Sequence, residues 1–217
     1  MISKQLAYLQ AMNIPLWQAR TSTCATQPAD QPLDWEALQA AVAQCTACGL
    51  QASRTQTVFG VGNRQAELMV IGEAPGFYED RQGEPFVGRA GQLLNAMLSA
   101  IQLDRTQVYI ANILKCRPPN NRDPQPEEVA LCTPFLDRQI ELIQPKLLVA
   151  VGRIAAHYLL KTKQALSSLR KQTFQYGPHQ TPLIITYHPA YLLRNPRDKA
   201  QAWQDWQRVR ETLRSPS

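Results

Sequence analysis

No apolar stretch in this 217-residue sequence approaches the length needed to cross a bilayer, so a membrane-spanning helix is not expected. The opening residues, Met1-Ile2-Ser3-Lys4, lack a charged region followed by an apolar core, so export by a signal peptide is not expected either. An even set of cysteines is also missing. There are five, and an odd count without an export signal argues against a disulfide scaffold. No internal repeat at a fixed period is present. Gly60-Val61-Gly62 lacks the third glycine of a dinucleotide fingerprint and precedes a strand instead of following one, which excludes that motif. Charged residues are only 18% of the chain, yet they are unbalanced: 23 Lys and Arg face 17 Asp and Glu, for a net charge of +6. That surplus fits a polyanionic partner. Hydrophobic residues reach 44%, the mark of a globular chain. At this length such a chain can bury a core without covalent staples.

Two regions differ in character. Residues 1–33 read as an appendage, with a short apolar stripe at Leu6, Leu9 and Met12 and a Thr-, Gln- and Pro-rich linker over 21–32. Residues 34–217 read as one domain. Asp34 suits an N-cap for a helix through Trp35, Leu38 and Val42. Continuous apolar runs at 68–71, 108–110, 147–151 and 183–186 read as strands buried on both faces. Helical periodicity separates them over 92–101, from Pro126 onward, over 153–160, and finally over 199–213. Pro126-Glu127-Glu128 opens its helix well, because proline suits the first turn and the acids complement the helix dipole. Alternating strands and helices predict an α/β fold with a mainly parallel sheet covered on both faces. Its chemistry belongs beyond the carboxyl ends of the strands.

The cysteines divide unequally. Cys45 and Cys48 form a C-x2-C pair at a helix end, and Cys116 and Cys132 lie far downstream. Four thiols suit tetrahedral zinc or an iron–sulfur cluster, and spacing does not separate the two. The pattern favours a metal site, with a redox pair or a Cys132 that simply faces the core as the alternatives. Cys24, in the linker, has no evident partner and reads as a bystander.

Three strand ends carry polar residues. Gly72-Glu73-Ala74-Pro75-Gly76 follows the first strand, with Glu79 and Asp80 close behind and Gly83-Glu84-Pro85-Phe86-Val87-Gly88 after them. Asn112 closes the second strand and His188 the fourth. Each has an ordinary reading alone: a glycine-rich loop, a turn asparagine, a structural histidine. In a parallel sheet, however, Glu73, Asn112 and His188 converge on one crevice.

In order along the chain, Gly-Glu-Ala-Pro-Gly, Pro-Phe-Val-Gly-Arg-Ala-Gly-Gln-Leu-Leu, Asn-Ile-Leu-Lys-Cys-Arg-Pro-Pro-x-Asn-Arg and His-Pro-Ala-Tyr-Leu-Leu-Arg-Asn-Pro resemble the family 4 uracil-DNA glycosylases. The resemblance covers roughly residues 35–213. It implies a three-layer α/β/α fold around a four-stranded parallel sheet. It also implies hydrolysis of the bond between uracil and deoxyribose in single- or double-stranded DNA. By the same resemblance, Cys45, Cys48, Cys116 and Cys132 would hold a [4Fe-4S] cluster in a structural role. His188 matches the position that stabilises the departing uracil, and Phe86 the position that stacks on the flipped base. Asn112 matches the position that reads O4 and N3–H of uracil, and Glu79 is expected near C5. The middle position of the first motif, Asp or Asn in related glycosylases, is Ala74 here and offers no side-chain base. Glu73 is therefore the first candidate for orienting water or stabilising the sugar cation, and Asp80 the second. Arg194, with Arg117, Arg122 and Arg197, is expected to face DNA.

Two alternatives accompany that reading. A relative that captures uracil covalently carries a histidine-containing basic loop after the second strand, and the matching stretch 117–123 has no histidine. A non-catalytic iron–sulfur DNA-binding or polymerase-associated protein would not need Glu73, Asn112 and His188 together. The expectation is a monomeric, cytoplasmic, nucleoid-associated repair enzyme, with residues 1–33 open to a clamp or another repair protein.

Overall fold

In the computed structural model, residues 33–215 are described. The appendage and linker over 1–33, with Cys24, therefore lie almost wholly outside the described residues. Helix α1 (Trp35–Ala43) starts where Asp34 accepts a 2.8 Å hydrogen bond from the Ala37 amide, as an N-cap should. The strands are β1 (Val61–Gly62), β2 (Leu68–Gly72), β3 (Tyr109–Asn112), β4 (Leu147–Val151), β5 (Thr173–Tyr176) and β6 (Thr181–Thr186). The helices that follow α1 are α2 (Phe77–Gln82), α3 (Arg89–Ala100), α4 (Pro126–Ile143), α5 (Arg153–Leu160), α6 (Leu166–Leu169), α7 (Pro189–Arg194) and α8 (Lys199–Arg214).

The sheet order is β1-β3-β2-β4-β6-β5. The four strands expected from their apolar runs pair in parallel at its centre, and every residue of β2, β3 and β4 is buried. Alternate residues serve opposite faces. Met69, Ile71, Leu148, Ala150 and Ile185 meet Leu136 and Ile140 of α4 and Ala155 of α5. Leu68, Val70, Leu147, Val149 and Ile184 meet Leu94 and Leu98 of α3 and Trp206 and Val209 of α8. This is the three-layer arrangement.

The sheet is wider than four strands. β1 pairs antiparallel with β3, and β5 pairs antiparallel with β6, so the sheet is mixed at both edges. β1 has only two residues. β5 alternates exposed and half-buried positions, so neither carries the apolar run that marks a central strand. Short, half-polar strands are how edges are usually finished.

The chain order places the site. From β2 it crosses to β3 on one side, then returns to β4 on the other side of β2. The crevice outside the carboxyl end of β2 is therefore the topological switch point.

Candidate active site

Three strand ends are brought together by register. Gly72 pairs with Asn112, and Val151 pairs with Thr186. The pairing of β2 with β3 continues past the strands, with Ile113 N donating to Gly72 O and Leu114 N to Glu73 O, both at 3.0 Å. Gly152 N donates to Thr186 O at 2.8 Å. Glu73, Asn112 and His188 thus line one open cleft of about 520 Å³, together with Ala74, Glu79, Phe86 and Arg194.

Glycines make the packing of this cleft possible. A Cβ at Gly72 would collide with Asn112 Oδ1 and lie 2.7 Å from Phe86 Cζ. One at Gly152, where φ is +99°, would lie 2.8 Å from His188 Cβ. One at Gly91 would collide with the Phe86 carbonyl. Phe86 itself has a φ of +56°, a left-handed conformation that a bulky side chain seldom adopts. Arg105 braces it, because its guanidinium donates to the carbonyls of Pro85 and Phe86. The Phe86 ring then stacks against the His188 imidazole, with centroids 5.6 Å apart and planes 29° from parallel.

His188 is held in one tautomer. Its Nδ1 accepts a 3.1 Å hydrogen bond from the Ala190 amide, so the ring hydrogen sits on Nε2. Burial pushes the imidazole down to about 4, Arg194 adds to the push, and Glu79 opposes it. At neutral pH the side chain is an uncharged donor. Asn112 is 2% exposed, and its Oδ1 has no hydrogen-bond partner. Beneath it, the fully buried Lys115 donates to the Asn112 carbonyl at 2.9 Å and to Gln139 Oε1 at 2.6 Å. Glu79 Oε1 accepts from Val87 N at 3.0 Å and Gly88 N at 3.2 Å, which fixes its carboxylate as part of the wall.

Glu73 lines the same cleft, near Asp123 and Arg153. Burial raises its carboxyl to about 7; Asp123 raises it further and Arg153 opposes the shift. Asp123 and Arg153 pair with each other at 3.2 Å. Asp80 does not line the cleft. It is buried, and both its oxygens accept from Thr55 N, at 2.9 and 3.1 Å. It joins the loop before β1 to α2 and is not positioned to meet a ligand here.

Cys45, Cys48, Cys116 and Cys132 line a separate small, apolar cavity with Val42, Leu50 and Phe135. None is in a disulfide. Arg54 Nη1 donates to Cys116 Sγ at 3.1 Å and Lys115 N to Cys132 Sγ at 3.2 Å. Among the described residues no three His, Cys, Asp or Glu side chains are gathered closely enough to hold a single metal ion. The four thiols line one common cavity, and a multi-iron cluster is larger than an ion. Soft sulfur donors, an apolar lining and N–H groups aimed at two of the sulfurs all suit such a cluster.

Sequence reasoning found the residues at the strand ends. It missed Arg105, Lys115, Asp123 and Arg153, whose partners lie many residues away: Phe86 for Arg105, Gln139 for Lys115, and each other for Asp123 and Arg153. The one available signal was that Arg105 and Lys115 sit beside strand β3.

A family model described as the uracil DNA glycosylase superfamily matches residues 59–207. The chain belongs to the uracil DNA glycosylase superfamily. Within that superfamily it is similar to a Type-4 uracil-DNA glycosylase of Sulfurisphaera tokodaii, 42% identical over 83% of this chain and 86% of the relative. A Type-4 enzyme of Archaeoglobus fulgidus is 42% identical over 78% of this chain and 88% of its own. One from Thermotoga maritima is 45% identical over 71% and 80%. The superfamily match spans β1 to α8 and therefore every strand end of the cleft.

Proposed function

We propose that this protein is a DNA repair glycosylase that takes uracil out of the DNA stack and hydrolyses its N-glycosidic bond, leaving an abasic site. The carrying observation is the buried, unpartnered Asn112 Oδ1 beside the Phe86 ring. An unpaired buried acceptor is costly unless a ligand supplies its donor. Uracil N3–H is such a donor, and O4 can accept from the same amide. Cytosine reverses both groups and would leave them unpaired, so a fixed Asn112 rejects it. Thymine differs at C5 by a methyl, and the Glu79 carboxylate, locked by Val87 and Gly88, is the wall we assign to exclude it.

The target base must leave the helix before its bond can be reached. Phe86 then supplies a flat face worth about 1–3 kcal/mol in stacking. As the bond breaks, its electron pair passes to uracil N1 and spreads to the ring oxygens. His188 Nε2–H donates to O2 and stabilises that anion without a proton transfer, as an oxyanion-hole donor does. Water adds to the sugar carbon, and Glu73 takes up the proton it releases. Arg194, exposed at the cleft rim, meets a phosphate of the strand.

Cys45, Cys48, Cys116 and Cys132 are the residues that would hold a [4Fe-4S] cluster, which when bound would tie the end of α1 to the loop after β3 and to α4. None of the catalytic steps needs electron transfer. The reading is tested by incubating the protein with a uracil-containing oligonucleotide and then with alkali. Strand scission at uracil, reduced about 10- to 100-fold by Asn112→Ala, is the expected result. No scission by the wild-type protein would contradict it.

A further inference from the structure

Among the described residues four large hydrophobic side chains are exposed, and two of them are neighbours on α2: Phe77 at 44% and Tyr78 at 61%. Isolated exposed apolar residues need no explanation, but this pair has a specific setting. The rings stand edge to face with centroids 5.4 Å apart. Two guanidinium groups flank Phe77, with Arg81 Cζ 5.5 Å and Arg117 Cζ 5.1 Å from its centre. Arg117 is aimed by its Nε, which donates to Asn121 Oδ1 at 2.7 Å. The acids of the same helix are engaged inward: Glu79 by the amides of Val87 and Gly88, Asp80 by that of Thr55. The outward character of α2 is therefore aromatic and basic.

The position is equally specific. Gly76 and Glu79, on either side of the pair, line the cleft, as do Pro118 and Asn121 beside Arg117. Tyr78 Cδ2 lies 3.7 Å from where a Gly88 Cβ would be, at the edge of the loop that carries Phe86. Aromatic faces interleaved with arginines along a strand path are the general means of holding unpaired nucleotides.

We propose that Phe77 and Tyr78, with Arg81 and Arg117, form a stacking platform for an unpaired base of the DNA strand flanking the uracil, favouring single-stranded substrate. This rests on the glycosylase reading, because the platform is defined by its continuity with the cleft. A paired base has both faces occupied by its neighbours in the duplex. It gains nothing from the platform.

The test is fluorescence anisotropy of the full chain with a labelled, uracil-free single strand and with the same sequence as duplex. Tyr78→Ala and the double variant F77A/Y78A are expected to weaken single-strand binding about tenfold or more, as stacking energies of this size imply. Tyr78→Phe is expected to retain it and Tyr78→Leu to lose it. Duplex binding should change less than about threefold. Unchanged single-strand affinity in the double variant, retention by Tyr78→Leu, or equal loss on duplex would overturn the platform. If the wild type released no uracil while the binding pattern held, the glycosylase reading alone would fall.

Discussion

At the scale of single residues, burial in the cleft shifts two titrating side chains in opposite directions, raising the Glu73 carboxyl and lowering the His188 imidazole. Glu73 lies in surroundings that raise its carboxyl to about 7, from an ordinary value of 4.5. If it accepts a proton from water, kcat/KM should rise with pH about a midpoint near 7. Glu73→Gln should flatten that rise and lower the rate about 100-fold or more. A pH profile of both proteins checks this, and no second limb from His188 should appear between pH 5 and 8, since its ring is already neutral there. The same shift has a stability sign. The folded state holds the Glu73 proton more tightly than the unfolded chain does. Its favourable contribution is therefore complete below pH 4.5 and is lost as pH rises toward 7. Thermal melts should show Glu73→Gln gaining on the wild type between pH 5 and 8. Gly152→Ala tests the packing beneath His188. Its added methyl would strain a φ of +99° and press on His188, so uracil release should fall at least tenfold. Glu73, Asn112 and His188 were legible in the sequence because each lies at or just beyond the carboxyl end of a strand. The left-handed backbone of Phe86 was not, since nothing about phenylalanine favours it and its support comes from Arg105 nineteen residues on. Asp80 misled for the same reason, because a carboxylate's partner, here Thr55, is set by tertiary placement.

Elements hold these residues in place through a few buried polar joints. The carboxyl end of β6 is fixed to α8, where Asp205 accepts from Thr186 Oγ1 at 2.8 Å and from Arg170 Nε at 2.7 Å. Arg170 and Asp205 are both almost fully buried, at 6% and 4% side-chain exposure. His188 follows Thr186 by two residues, so this joint sets the height of the imidazole. Asp205→Ala would leave Arg170 buried without its carboxylate, a loss of about 3–5 kcal/mol. For a domain of this size that corresponds to about 6–20 °C in Tm, measurable by calorimetry. Removing a cap is milder: Asp34→Ala should cost about 1 kcal/mol. The capping signal at Asp34 and the proline start of α4 were readable because they are local. β1 and β5 were not, because an edge strand of two residues, or one that alternates wet and dry, has no continuous apolar run. The thiol cavity joins α1 to the loop after β3. Loading of a cluster there should give broad absorbance near 400 nm, lost in Cys132→Ala together with thermal stability.

Taken as a whole molecule, the chain divides its work between a sheet that specifies position and loops that specify chemistry. The parallel core was legible from four apolar runs, and it predicted the crevice at the switch point of the sheet. The basic surplus of +6 pointed to a polyanion, and Arg194 at the cleft rim gives part of it a place. The pairing of Asp123 with Arg153 beside Glu73 could not be read beforehand, since it depends on how two loops meet. The central claim is that one cleft recognises uracil through Asn112 and expels it through His188. It is tested most directly by single-turnover cleavage of matched oligonucleotides carrying uracil, cytosine or thymine at one position. The account predicts release of uracil only, with Asn112→Ala and His188→Ala each slowing it at least tenfold while binding to uracil-free DNA is unchanged. Release of cytosine or thymine at a comparable rate, or wild-type rates in both variants, would contradict it.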